Sequence, residues 1–203
     1  MDYRHPKVLV VDNYDSFTYN LVQILEKCNK GHFEVMRNDR VDPVTAGQFD
    51  GFLFSPGPGR PTEAPIMAEL LRLYQDRKSF LGVCLGHQAI AEAYGMQLIN
   101  LPTVRHGLKM RIRIDDPSDY LFKGLPLEFE AGLYHSWAVR DEDNSLRPTR
   151  EIRVTARSQD GLIMAISHVR YDIKGVQFHP ESYLTDYGSV IIKNWIENLI
   201  TIG

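Results

Sequence analysis

Between residues 7 and 83 the chain alternates short apolar, β-branched runs with segments whose apolar residues recur at helical spacing, and few folds absorb such an alternation. KVLVVD (Lys7 to Asp12), FEVMR (Phe33 to Arg37), GFLFS (Gly51 to Ser55) and SFLGV (Ser79 to Val83) read as strands. After Asp15, residues Phe17, Leu21, Ile24, Leu25 and Cys28 fall on one helical face, which makes Cys28 a core residue; Met67, Leu70, Leu71 and Tyr74 do the same between Ala64 and Arg77. Strands and helices in turn, joined by short connections, predict a parallel sheet covered on both faces. In such sheets ligands bind beyond the carboxyl ends of the strands. The segments NYDSF, SPGPGRPTEA and CLGHQ all leave strands there, so they should face one crevice.

The second half changes character. KMRIRI (Lys109 to Ile114), EIRVTAR (Glu151 to Arg157), GLIMAISH (Gly161 to His168) and KGVQFH (Lys174 to His179) are strand-like and close together, with Asp160-Gly161 as a turn signal. They predict antiparallel pairs added to the parallel set. An amphipathic helix from Tyr187 to Ile200, burying Ile192, Trp195, Ile196 and Leu199, closes the chain. No linker or repeat divides the 203 residues. The expected fold is one α/β domain over 1–203: a mixed, mainly parallel sheet flanked by helices.

With a net charge of −3, nothing in the composition suggests capture of nucleic acid or of an anionic membrane. No run approaches the ~18 apolar residues of a membrane span, and the first residues carry no secretory pattern, so the expected address is the cytoplasm. Two cysteines, Cys28 and Cys84, make no disulfide framework and no CxxC pair. This weakens zinc and thioredoxin-like readings and leaves Cys84 to be explained alone.

Cys84 sits in GVCLG, where an apolar strand gives way to a helical pattern beginning near His87. A buried core thiol, a metal or redox ligand and a nucleophile on a sharp turn are the competing readings. Flanking Gly82 and Gly86 favour the last, because a nucleophile elbow needs close backbone passage on both sides. The helix N-terminus favours a thiolate, and the N–H of Leu85 is suited to hold an oxyanion. A cysteine nucleophile needs a base, usually a histidine oriented by a carboxylate. Of seven histidines, His179 in GVQFHPES ends an apolar strand and has Glu181 two residues on, where extended geometry returns the carboxylate to the same face. His87 is a rival base, ranked below it. SPGPG lacks the ending of a phosphate-binding loop. Its stiff turn could supply a second oxyanion donor, or be only a tight strand-to-helix connection.

GVCLGHQAIAEAYG together with GVQFHPES resembles the class I, or triad-type, glutamine amidotransferases. SPGPGRPTEA and VDNYDSFTYNLVQ are similar to the branch containing the glutaminase subunits of anthranilate and para-aminobenzoate synthases. The matching blocks run in order from near residue 8 to near residue 188. The resemblance implies that Cys84 attacks the side-chain amide of L-glutamine, His179 transfers protons and Glu181 orients His179. It further implies oxyanion donors at the N–H groups of Leu85 and Gly59, a glutamine-binding loop of Gly57, Pro58 and Gly59, and substrate contacts from Gln88, Ser136 and Trp137. It implies no cofactor or metal in this chain and docking to a larger, chorismate-using synthase subunit, to which chorismate and its magnesium would belong.

Trp137 stands where the family commonly has an aliphatic residue, and Leu108 where a lysine often follows His106-Gly107. Tyr14, Asp15, Ser16 and Phe17 invite either signalling between site and partner or helix capping by Asp15 or Ser16. The expected product is ammonia for anthranilate formation. Para-aminobenzoate formation, or a subunit shared by both synthases, is the alternative; a free-standing cysteine hydrolase and a non-catalytic binding module are more distant ones.

Overall fold

In the computed structural model, which describes residues 5–29, 32–140 and 151–202, the strands form one sheet in the order β2-β1-β3-β4-β9-β8-β7-β5-β6. In chain order these are β1 (Val8–Asp12), β2 (Phe33–Arg37), β3 (Gly51–Phe54), β4 (Ser79–Val83), β5 (Leu98–Ile114), β6 (Glu128–Val139), β7 (Ile152–Ser158), β8 (Ile163–His168) and β9 (Ile173–Val176). Strands β2, β1, β3, β4 and β9 pair parallel, and from β9 onward every pairing is antiparallel. This is the mixed sheet expected from the run of strand-like segments after residue 109.

The helices are α1 (Thr18–Asn29), α2 (Ile66–Tyr74), α3 (Leu85–Ala93) and α4 (Gly188–Ile202). Strand alternation sorts the core into two layers. Val8 and Val10 of β1, with Leu53, Leu81 and Val176, face α1 and α4 through Leu21, Leu25, Ile191, Ile192 and Trp195. Leu9 and Val11 of β1, with Phe52, Phe54 and Phe80, face α2 and α3 through Met67, Leu70 and Ile90. Cys28 is half-buried and packs against the first of these layers.

Strand order reverses between β1 and β3, so the loops leaving their carboxyl ends meet at a switch point, where such sheets place ligands. Asn13 and Ser55 fasten these loops together: the Asn13 N–H donates to Ser55 Oγ at 2.8 Å, and Asn13 Nδ2 to the Ser55 carbonyl at 2.9 Å.

Besides strand β6, which the sequence reading did not name, three details of the sheet and its connections differ from that reading. Helix α2 starts at Ile66 and not at Ala64, because Pro61–Glu63 form a short 3-10 turn and Pro65 precedes the first helical residue. The strand expected from Lys109 starts far earlier, the segment VRHGL belonging to the 17-residue strand β5. Register shifts against β6 between Asn100 and Arg105, and between His106 and Leu108, absorb the irregularity that its glycine signals. Third, β9 ends at Val176, three residues short of His179.

A buried ion pair ties the parallel half to the antiparallel half. Lys174 Nζ of β9 donates to Asp119 Oδ2 at 2.9 Å and to Ser167 Oγ of β8 at 2.5 Å, and lies 4.7 Å from the Tyr120 ring centroid. Asp119 uses its other oxygen to cap the turn at Leu121. Replacing Lys174 by Met leaves a buried carboxylate without its cation and is expected to cost about 3–5 kcal/mol. Urea unfolding of Lys174→Met beside the parent measures this, and a loss under about 1 kcal/mol would show that the pair is dispensable.

Candidate active site

Strand β4 delivers Cys84 directly onto the first residue of α3. The backbone of Cys84 has φ 51° and ψ −98°, a conformation a non-glycine residue adopts only when its surroundings enforce it. The enforcement is visible on both sides. A side chain on Gly82 would overlap the Gly86 carbonyl and lie 2.7 Å from the His87 nitrogen, and one on Gly86 would lie 2.6 Å from Cβ and O of Phe54. Two glycines therefore let the first turn of α3 sit directly on β3 and β4. The Cys84 N–H is held by the Val176 carbonyl at 2.9 Å, and its carbonyl accepts the Gln88 N–H at 3.0 Å. Helix α3 begins at Leu85, two residues earlier than the sequence suggested. The N–H groups of its first turn lack intrahelical acceptors, and the sulfur of the residue that precedes them is nearly buried.

His179 Nδ1 lies 2.6 Å from Glu181 Oε1, and both residues are buried. The pairing expected from extended spacing is made instead by a turn. The Ser182 N–H bonds the His179 carbonyl at 3.1 Å, with Pro180 inside the turn, and this folds the carboxylate back under the ring. Thr185 Oγ1 donates to the same carbonyl at 2.6 Å, and the His179 N–H donates to Gly132 of β6 at 3.1 Å. With Nδ1–H committed to Glu181, Nε2 is the nitrogen left for chemistry.

Nε2 has no partner of ordinary hydrogen-bond geometry, yet Cys84 is the principal group acting on this ring. Burial alone would lower the His179 pKa. The charge and hydrogen bond of Cys84, followed by those of Glu181, outweigh burial and raise it well above the usual histidine value. Such coupling favours the imidazolium form of His179.

Aromatic rings wall this histidine. Tyr134 of β6 stands edge-on at 4.9 Å and Phe17 at 5.8 Å between ring centroids. Gln177 donates Nε2 to Cys84 Sγ at 3.6 Å and accepts Gln88 Nε2 at 3.2 Å. Neither Tyr134 nor Gln177 carried a role in the sequence reading. Gln177 had a signal, since it alternates with His179 around the core residue Phe178.

The other side of the crevice is built from three elements. Gly57 is wedged between the loop after β1 and α3: an added Cβ would lie 2.6 Å from Asn13 Cβ and 2.7 Å from Leu85 Cδ2. Pro58 and Gly59 form the exposed tip, with Gly59 at φ +77°. Gln88 is buried and also donates Nε2 to the Trp137 carbonyl at 2.9 Å, so its own carbonyl oxygen is the group left for a ligand. Ser136 and Trp137 are half-buried on β6. Asp15 accepts the Phe17 N–H at 2.7 Å just before α1, a local turn role.

His87, the rival base, turns away from the sulfur. It is fully buried against Gly175, whose added Cβ would lie 2.9 Å from Nδ1. Burial drives its pKa down to about 3, with the Gly175 backbone opposing and His135 assisting. His135, bonded through Nδ1 to the Trp137 carbonyl at 2.8 Å, is pushed by burial down to about 4.

A buried cysteine in a strained turn, facing a carboxylate-bound histidine, is the arrangement of a thiol-dependent acyl-transfer site. The glutamine amidotransferase class-I family profile matches residues 9–199. The chain belongs to the class-I glutamine amidotransferases. It is 44% identical over 195 residues to anthranilate synthase component 2 of Thermus thermophilus, covering 95% of this chain and 92% of that protein. The counterpart of Mycobacterium tuberculosis is 43% identical over 195 residues, covering 94% and 81%. In fold, this amidotransferase matches a Thermoplasma acidophilum protein described as part of a GMP synthase, with a TM-score of 0.85 at 23% identity, covering 98% and 96% of the two chains.

The buried histidines of this amidotransferase set a pH dependence. A histidine with a depressed folded-state pKa binds its proton more readily when unfolded, so stability falls as pH drops below the ordinary value. For His87 and His135 this window runs from 6.5 down toward about 3 and about 4. His179 has the opposite sign, its contribution being lost above 6.5 as pH rises through its elevated value. Replacing His87 by Asn is expected to flatten the stability slope between about pH 4 and 6 by about 1.4 kcal/mol per pH unit. Urea midpoints collected across that range provide the check, and an unchanged slope would place His87 in contact with water.

Proposed function

We propose that this enzyme is the glutaminase subunit of an anthranilate synthase, hydrolysing L-glutamine and passing ammonia to a chorismate-using synthase subunit. The observation that carries the reading is the coupling of Cys84, held at positive φ, to a His179 already bonded to Glu181. The names of the relatives support the anthranilate branch over para-aminobenzoate formation. Family membership argues against a free-standing peptidase.

In the proposed reaction the Cys84 thiolate attacks the side-chain carbonyl carbon of glutamine. A C–S bond forms and the carbonyl electron pair moves to oxygen, held by the N–H groups of Leu85 and Gly59. The oxyanion collapses and the C–N bond breaks as His179 Nε2 gives its proton to nitrogen, releasing ammonia and a γ-glutamyl thioester. Water then attacks the thioester. Nε2 takes a proton from it, the C–S bond breaks, and glutamate leaves with thiolate and imidazolium restored. Glu181 stabilises the charged ring and fixes its tautomer throughout. Gln177 contributes a donor to the sulfur whenever it is anionic.

Ammonia that escapes to water is protonated and lost as a nucleophile, so this chemistry calls for a partner in contact with the site. Chorismate and its magnesium are assigned to that partner. No helix among the described residues is long and apolar enough to cross a membrane.

In the complex with the synthase subunit, Cys84→Ser is expected to lower glutamine-dependent anthranilate formation by at least about 10⁴-fold while synthesis from added ammonium persists. Equal loss of both would make Cys84 structural. Glu181→Gln is expected to reduce kcat about 10²-fold or more with KM little changed. Undiminished turnover would remove Glu181 from the reaction. Identifying the aminated product from chorismate and glutamine tests the branch: aminodeoxychorismate in place of anthranilate would redirect the assignment.

A further inference from the structure

The glycine-rich loop carries at its end a side chain to which the reaction above gives no task. Arg60 follows Gly59, and its own N–H is fixed by Glu63 Oε1 at 2.9 Å. Its guanidinium leaves that turn and reaches two other elements. Cζ lies 4.8 Å from the centroid of the Trp137 ring on β6, and Nη2 lies 3.3 Å from Glu92 Oε1 on α3. Glu92 stands one helical turn beyond Gln88, on the same face. The Trp137 carbonyl, in turn, holds Gln88 Nε2 at 2.9 Å. One guanidinium thus joins the loop, the helix and the strand that surround the crevice.

We propose that Arg60 is a positioning residue: stacked on Trp137 and paired with Glu92, it clamps the glycine-rich loop in the geometry that binds glutamine. The proposal rests on the assignment of the crevice as the glutamine site. Its physical basis is the backbone freedom that the tip of the loop would have without such a restraint. Gly57 and Gly59 flank Pro58 at an exposed tip, and glycine gives a chain its greatest freedom. If only part of the population holds the loop closed, apparent affinity falls by that fraction. The Arg60 side chain is 45% exposed and that of Glu92 24%, so each contact is individually weak. They act on the same group, and a planar guanidinium can stack and pair at once where an ammonium cannot. The clamp also gives a purpose to Trp137: its ring is the surface that the guanidinium covers.

The test uses the full chain with its synthase subunit for kinetics and the isolated chain for spectroscopy. Arg60→Ala is expected to raise KM for glutamine about three- to tenfold with kcat within about twofold, because bound substrate itself holds the loop once seated. Arg60→Lys should recover part of this loss. Trp137→Leu keeps the carbonyl that anchors Gln88 and should raise KM similarly, and the double variant should be no worse than either single one. Multiplicative losses, or an unchanged KM in Arg60→Ala, would overturn the clamp. The chain has two tryptophans, and Trp195 is fully buried and bonded to Ser79, so a change in emission on Arg60→Ala without ligand reports on Trp137. That emission is expected to shift while the unfolding midpoint stays put; identical emission would also overturn the clamp. If the parent fails to turn over glutamine, the functional reading falls, and the emission comparison still decides whether Arg60 covers Trp137.

Discussion

The approach of the first turn of α3 to strands β3 and β4 is the contact on which the rest of the site depends. It is possible only because Gly82 and Gly86 present bare backbone to each other and to Phe54. Once the helix is that close, the chain has no relaxed path from β4 into α3, and the residue at the junction must take the strain. Cys84 takes it at φ 51°. The same closeness starts α3 at the residue after Cys84 and carries Gln88 to the Trp137 carbonyl of β6. The proposed nucleophile, oxyanion donor and one wall of the crevice follow from a single packing event.

The second half of the site is assembled differently. His179 and Glu181 are not on a strand, and their pairing owes little to the sheet's alternation. A tight turn sets it, anchored by Thr185 from one side and by Gly132 of β6 from the other. The elbow is rigid through exclusion of side chains, whereas the histidine turn is rigid through hydrogen bonds. Both are fixed before any ligand arrives, as electrostatic preorganisation requires.

The parts of this arrangement that were legible in the sequence are those written over a few consecutive residues. Glycines around Cys84, a carboxylate two positions from a histidine, and a glycine-proline loop each state a local backbone demand. What could not be read is what distant segments bring together. Tyr134 and Phe17 meet at His179 from β6 and from the loop after β1; NYDSF is expected at the crevice, but nothing local marks Tyr134 as the ring it meets there. Strand β5 illustrates the same limit: His106-Gly107 looks like a break locally, yet pairing with β6 carries the strand through it with register shifts. His87, a rival base ranked below His179 on the sequence, lies buried against Gly175. For His179 and Glu181 the inference of proximity held although the geometry behind it was a turn and not an extended strand.

Gly188, the first residue of α4, packs so tightly on the Pro180 carbonyl that no side chain could stand there. The helix it begins is pinned across the sheet by Ile191, Ile192 and Trp195. The turn that pairs His179 with Glu181 is therefore roofed by the start of a core helix, and neither can move far without the other. Such a site has little capacity to melt locally while the body of the enzyme stays folded. Heat or denaturant should extinguish its chemistry and its last helix in one cooperative event, so the protein would present itself to a cell's quality control as either fully competent or fully unfolded.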